Sequence, residues 1–251
     1  MSVDSNAITS WIKDYAESAK IDTLVVGISG GVDSSLVSTL CAETGLKTIV
    51  LRMPIHQKES QDDLSKKHAE WLLGRYNNVV YRSKDMSSLF DSMQDLLHDD
   101  EKSLLSLANT RSRLRMAMLY QVASTSNGIV VGTGNKVEDF GIGFFTKYGD
   151  GAVDISPIAD LYKTQVKELA VSLGVMDEIT SAAPTDGLWD DGRTDEDQIG
   201  ATYEELEWAM KYDGLTPASD RELEVLEIYN NFHSSNKHKM LPIPVCKVDD
   251  E

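Results

Sequence analysis

The run Gly27, Ile28, Ser29, Gly30, Gly31, Val32, Asp33, Ser34, Ser35 stands between an apolar stretch at 23–26 and the apolar positions Leu36, Val37 and Leu40. It predicts a strand, a tight turn and a helix. The glycines turn the backbone where a Cβ would clash and leave successive N–H groups free to converge on an anion. A helix opening at Asp33 or Ser34 adds unpaired N–H groups and the positive end of its dipole, so phosphate is the natural guest. The run lacks the lysine of GxxxxGK[ST] and does not fit GxGxxG. A carboxylate at position 33 would repel a phosphate unless a divalent cation lay between them, which points to a magnesium-bound polyphosphate. A glycine turn with an Asp N-cap would explain a lone Gly-Gly pair. The strand before, the helix after and the serines flanking Asp33 favour the phosphate cradle.

Ser29 to Ser34 matches SGGxDS, and the chain here resembles the N-type ATP pyrophosphatases, which include ammonia-dependent NAD synthetases, GMP synthetase and asparagine synthetase. The resemblance implies that the loop holds the β and γ phosphates of ATP while AMP is transferred to an acceptor. It does not name the acceptor.

The remaining pattern alternates strands with helices. Ile8, Trp11, Ile12, Tyr15 and Ala19 recur at helical spacing after Ser5. Residues 47–53 and 78–81 read as strands, and between them Leu64, His68, Trp71 and Leu72 mark a helix stopped by Gly74. Met86, Leu89, Phe90, Met93, Leu96 and Leu97 form another helical stripe, read as packing. A long helix at 104–125 carries Arg111 and Arg115 on one face and Arg113 on another; a solvated or salt-bridged face is the default for these, and an anion clamp the sharper alternative. A fourth strand follows at 129–131. This order predicts a doubly wound, mostly parallel sheet with flanking helices, in which ligands sit at the carboxyl ends of strands. With no Pro, Gly or Ser-rich linker in 251 residues, a single domain is expected over 1–251.

Past the fourth strand, Gly132, Thr133, Gly134, Asn135, Lys136, Val137, Glu138 resembles the second block of NAD synthetases. That likeness implies that Thr133 contacts ATP and Glu138 ligates magnesium. GFFTKYGDG, at 143–151, is the most specific text in the chain and resembles the loop by which ammonia-dependent NAD synthetases hold deamido-NAD. The likeness further assigns Lys163 and Thr185 to ATP, and Arg113, Lys147, Asp154, His238 and Lys239 to deamido-NAD. It covers the chain from the cradle to Pro242, with every block in order. Asn135 and Lys136 depart from the DHA of many bacterial members, which leaves their roles open. Taken whole, the resemblance implies a Rossmann-like fold of the adenine nucleotide alpha hydrolase kind. It implies a ligase that adenylates the carboxylate of deamido-NAD and lets ammonia displace AMP, and a homodimer with the dinucleotide across the subunit interface. Asp33 and Glu138 would bind Mg2+, while Gly27 to Ser34, Thr133, Lys163 and Thr185 would hold ATP. A basic end to the last helix, expected at 220–235, would on its own be adequately explained by the helix dipole. The stretch 190–197 is expected to be an acidic mobile loop.

A net charge of −17, from 24 basic and 41 acidic residues, argues against general affinity for nucleic acid or anionic membrane. Cys41 and Cys246 make neither a CxxC pair nor a metal set, so a reduced cytoplasmic setting is expected. The polar residues 1–6 are no signal peptide, and no apolar run nears the ~20 residues of a membrane span. Two rivals stand beside this reading. A pyrophosphatase that amidates or thiolates another acceptor would share the loop, although the tRNA-thiolating kind would be basic and carry paired cysteines. A non-catalytic ATP-binding protein of the same fold would bind without turnover.

Overall fold

Leu24, Val25 and Val26, and again Ile49, Val50 and Leu51, are consecutive apolar residues with no polar alternation, the pattern of strands covered on both faces. All six are fully buried. The structure, a computed structural model, describes residues 3–57, 59–184 and 194–248. In chain order α1 (Ser5–Ser18), β1 (Thr23–Gly27), α2 (Val32–Glu43), β2 (Lys47–Arg52), α3 (Glu59–Arg75), β3 (Val79–Ser83), α4 (Ser87–Asp95), α5 (Leu104–Ser124) and β4 (Gly128–Val130) build the sheet and its covers. A π-helical turn (Lys136–Ile142) and then α6 (Lys163–Ser172), α7 (Asp177–Thr180), α8 (Asp195–Ile199), α9 (Tyr203–Lys211) and α10 (Asp220–Met240) complete the described chain.

The strands are parallel in the order β3-β2-β1-β4, with Val25 beside Ile49 on one flank and Val130 on the other. The chain winds outward from β1 through β2 to β3, then returns to β4 on the far side of β1. The topological switch point therefore falls between β1 and β4, where a doubly wound sheet opens a crevice for ligands. Leu24, Val26, Ile129 and Val131 face α1, α2, α6 and α7. Val25, Ile49, Leu51 and Val130 face α4 and α5. Beyond the strand ends, α8, α9 and α10 pack with Val137 and Ile142 of the π-helical turn in a separate apolar cluster.

Two helix ends differ from the sequence reading. α3 runs through Gly74 to Arg75, because Gly74 has open space about it and costs only its weak helix propensity, about 1 kcal/mol. α10 continues to Met240, so Lys237, His238 and Lys239 form its last turn; the first true stop is Pro242, before which Leu241 is extended. Among the described residues no helix is long and apolar enough to cross a membrane.

Candidate active site

β1 ends at Gly27, and the chain turns through Gly30, whose φ of +87° lies in the left-handed region that favours glycine. Ser34 ties the turn together: its hydroxyl donates to the Gly31 carbonyl at 3.1 Å, accepts the Ser29 N–H at 3.2 Å and lies 3.0 Å from the Ser29 hydroxyl. Ser35 donates to the same carbonyl at 2.9 Å. Gly31 caps α2, Val32 is its first residue, and Asp33 is the acidic residue of its first turn. Ile28 is buried and bonded through its N–H to the Leu51 carbonyl. The cradle is thus fixed to the sheet behind it and opens at the switch point.

β4, hydrogen-bonded beside β1, delivers the opposing residues. Thr133 stands half-buried just past its end. Asn135 is fully buried and serves both sides of the site. Its carbonyl oxygen accepts from the N–H groups of Val137 and Glu138, capping the π-helical turn, and its amide donates to Asp33 Oδ1 at 3.0 Å. From α6, Lys163 Nζ donates to Asp33 Oδ2 at 2.5 Å and to Glu138 Oε1 at 3.0 Å. Burial raises the Asp33 carboxyl above its ordinary range, with Lys163 opposing. At Glu138 burial also works upward, but the lysine charge and the hydrogen bonds to Tyr203 and Lys163 bring the carboxyl below its usual value. For Lys163 the two carboxylates outweigh burial and push its pKa up, so it stays charged. The other departure from DHA also acquires a place: Lys136 pairs with Asp160 at 2.8 Å and lies over the Tyr162 ring.

Two carboxylates from neighbouring strand ends already share one cation, the Lys163 ammonium. Among the described residues no three His, Cys, Asp or Glu side chains converge as a cage for a metal ion. That donor set fits Mg2+, which takes one or two carboxylates and completes its shell with phosphate oxygens and water.

A second group gathers around residues 143–151. Asp150 accepts from Ser112 Oγ at 2.6 Å and from the Thr146 N–H at 3.0 Å, which fastens the loop to α5. Gly149 lies so close to Ser112 that a Cβ there would collide with its hydroxyl. Arg113 Nε donates to the Lys147 carbonyl at 3.2 Å, and Lys147 Nζ to the His238 carbonyl at 3.2 Å. Lys239 Nζ donates to the carbonyls of Gly143 and Phe145 at 2.6 and 2.8 Å. The side chains of Arg113, Lys147 and Lys239, far apart in sequence, therefore meet on one loop, whereas His238 reaches it only through its carbonyl, its ring being bonded to the Ser235 carbonyl at 3.1 Å. Asp154 lies elsewhere, on the edge of β4, where it accepts from the Val130 N–H at 2.7 Å and the Tyr120 hydroxyl at 3.0 Å. Arg111 and Arg115 are not a solvated face: Arg111 stacks on Phe90, and Arg115 donates to the Met53 carbonyl and to Gln57. Thr185 and residues 190–193 lie outside the described residues, while Thr194 caps α8 through the Asp197 N–H.

Tyr203, Glu207 and Asp195 were not legible as site residues. Tyr203 donates to Glu138 Oε1 at 2.6 Å, and Glu207 accepts from the Thr164 N–H and hydroxyl at 3.0 and 2.8 Å, holding the start of α6 that presents Lys163. In the sequence both are ordinary positions of an amphipathic helix, and Tyr203 lies 65 residues from its partner.

The chain is similar to known proteins in sequence and in fold. Residues 5–241 match the model of the family described as NAD synthase. The NH(3)-dependent NAD(+) synthetase of Methanosarcina acetivorans is 38% identical over 79% of this chain and 77% of its own length. That of Alkaliphilus metalliredigens is 36% identical over 94% and 96%. Among solved structures, the NMN synthetase from Francisella tularensis superposes with a TM-score of 0.87 at 32% identity, covering 97% of both chains. The chain belongs to the NAD synthase family.

Proposed function

We propose that this chain is an ammonia-dependent NAD synthetase, a ligase that amidates deamido-NAD at the expense of ATP. The observation that carries the reading is the Asp33, Glu138 and Lys163 cluster at the switch point, set against an SGGxDS cradle. A carboxylate is a poor acyl electrophile because its leaving group would be oxide. In this reading a carboxylate oxygen of deamido-NAD attacks the α phosphorus of ATP, pyrophosphate leaves, and an acyl adenylate forms. Ammonia then adds to the acyl carbon, the C–O bond to AMP breaks, and the amide of NAD remains once the extra proton is lost.

Magnesium, held by Asp33 and Glu138, would neutralise the phosphates and stabilise charge on the departing pyrophosphate. Residues 27–34, with Thr133 and Thr185, receive the ATP. Lys163, permanently charged, supplies the fixed positive group beside the phosphates. Arg113, Lys147, Asp154, His238 and Lys239 are assigned to position the dinucleotide; such catalysis is largely orientation and charge stabilisation. We read the chain as one domain acting as a cytoplasmic homodimer. The exposed Trp11, Tyr15 and Phe140 offer apolar area for a second subunit, and two free cysteines suit a reducing compartment.

Incubation with ATP, Mg2+, ammonium and deamido-NAD is expected to yield NAD, AMP and pyrophosphate in equal amounts. ATP binding without turnover would instead favour a non-catalytic protein of this fold. The likeness to the NMN synthetase favours a second reading, in which the acceptor is the mononucleotide acid. Competition between the two acids decides it: the larger kcat/KM names the acceptor.

A further inference from the structure

We propose that Tyr203 is a positioning residue of the active site, its hydroxyl orienting the Glu138 carboxylate for the metal. The inference rests on the reading of Asp33 and Glu138 as magnesium ligands. Glu138 Oε1 accepts two hydrogen bonds, one from Lys163 at 3.0 Å and one from Tyr203 at 2.6 Å. The two donors differ in kind. Lys163 is a charged group on a flexible stem, already divided between two carboxylates and required by ATP phosphates as well. Tyr203 is a ring fixed at the start of α9, buried in the cluster that includes Val137 and Ile142. It is therefore the donor that stays when the lysine is drawn toward phosphate.

Three further contacts set the phenol in place. The Tyr203 backbone N–H donates to Glu196 of α8 at 3.0 Å, Thr202 caps the helix ahead of it, and Lys163 Nζ lies 4.8 Å above the ring. Asp195 Oδ2, at 3.3 Å, also lies near the hydroxyl, but the shorter bond goes to Glu138. Tyr203 and Glu207 lie one turn apart, so a single face of α9 supports Glu138 through one residue and the N-terminus of α6 through the other.

The test compares the dissociation constant of α,β-methylene-ATP with and without Mg2+ for the wild-type chain, Y203F and D33N. The ratio of the two constants measures how much the metal strengthens nucleotide binding. Y203F is expected to bind the metal-free analogue as the wild type does and to lose about tenfold of the metal-dependent enhancement, the scale seen when a ligand's outer partner is removed. Placing 3-fluorotyrosine at 203, which keeps the ring and the donated proton, is expected to preserve the enhancement. Full enhancement in Y203F would overturn the proposal, and so would equal weakening with and without metal, which is the mark of a purely structural role. Loss with fluorotyrosine equal to that in Y203F would tie the effect to packing and would also overturn it. If D33N keeps the full enhancement, the magnesium reading itself fails; if D33N loses it and Y203F does not, only the role of Tyr203 fails.

Discussion

Asp33 is a half-buried carboxylate that shares its paired cation, Lys163, with Glu138, and that sharing makes it sensitive to substitution. D33N keeps the shape and a hydrogen-bonding group but removes a charged metal ligand. Its kcat/KM is expected to fall about 100-fold or more, a cost of roughly 3 kcal/mol in the transition state, with the thermal unfolding midpoint held or raised because one half-buried charge is gone. Steady-state rates with a magnesium titration check this, and near-native turnover would remove Asp33 from the metal site. Lys147 is different, since among the described residues its side chain reaches a carbonyl at the end of α10 and the Tyr148 ring. K147A is accordingly expected to raise the KM for deamido-NAD about tenfold while leaving ATP binding unchanged, because no contact among the described residues joins it to the cradle. Equal losses for both substrates would make the 143–151 loop a structural element. At this scale the sequence was most informative where chemistry is local: SGGxDS announces its own conformation. Asn135 could be located but not understood, because its meaning lies in reaching Asp33, 102 residues away.

Between α2 and α3 a buried histidine sets a limit on acid tolerance. Ser38 donates to the Ser34 carbonyl at 2.7 Å, so its oxygen accepts from His68 Nε2 at 2.8 Å; Nδ1 has no partner among the described residues and the ring stacks on Trp71. Burial pushes the His68 pKa down from 6.5 to about 4. The unfolded chain therefore takes up a proton near pH 6.5 that the folded chain refuses until about pH 4, so stability falls as pH drops through that window. From pH 7 to pH 5 the loss is about 2 kcal/mol, from 1.36 kcal/mol per unit of pKa difference. Urea unfolding of the wild type at both pH values should show it, and H68Q should flatten the difference; an unchanged slope in H68Q would assign the acid sensitivity elsewhere. The elements themselves were largely legible, since the apolar runs of β1 and β2 have no other explanation. The π-helical turn was not, because it is selected by the Asn135 cap and by packing against α9 and α10 and not by local propensity.

For the whole molecule, the nitrogen source follows from where the thiols lie. Glutamine hydrolysis in related enzymes calls for a nucleophilic cysteine. Cys41 is buried in α2 with its pKa pushed up by burial, and Cys246 is exposed on the extended stretch after α10. The purified chain is expected to form NAD with ammonium chloride and not with glutamine, at a rate that rises with pH as ammonia replaces ammonium. Glutamine-driven synthesis at a comparable rate, with contaminating ammonium removed, would contradict this. The winding of the sheet was legible from the alternation of elements, whereas the meeting of Arg113, Lys147 and Lys239 on one loop required the end of α10 to pack against that loop. The strand order carries a consequence for biosynthesis on the ribosome. When the nascent chain has emerged only as far as β3, the cradle and its helix exist, but the groups that satisfy Asp33 do not: Asn135 and Lys163 are still to be synthesised. A lone carboxylate resists burial, so the first half of the chain stays loosely closed around Asp33 until β4 slots in beside β1. Charge neutralisation comes later still, when α6 follows the completed sheet and presents Lys163.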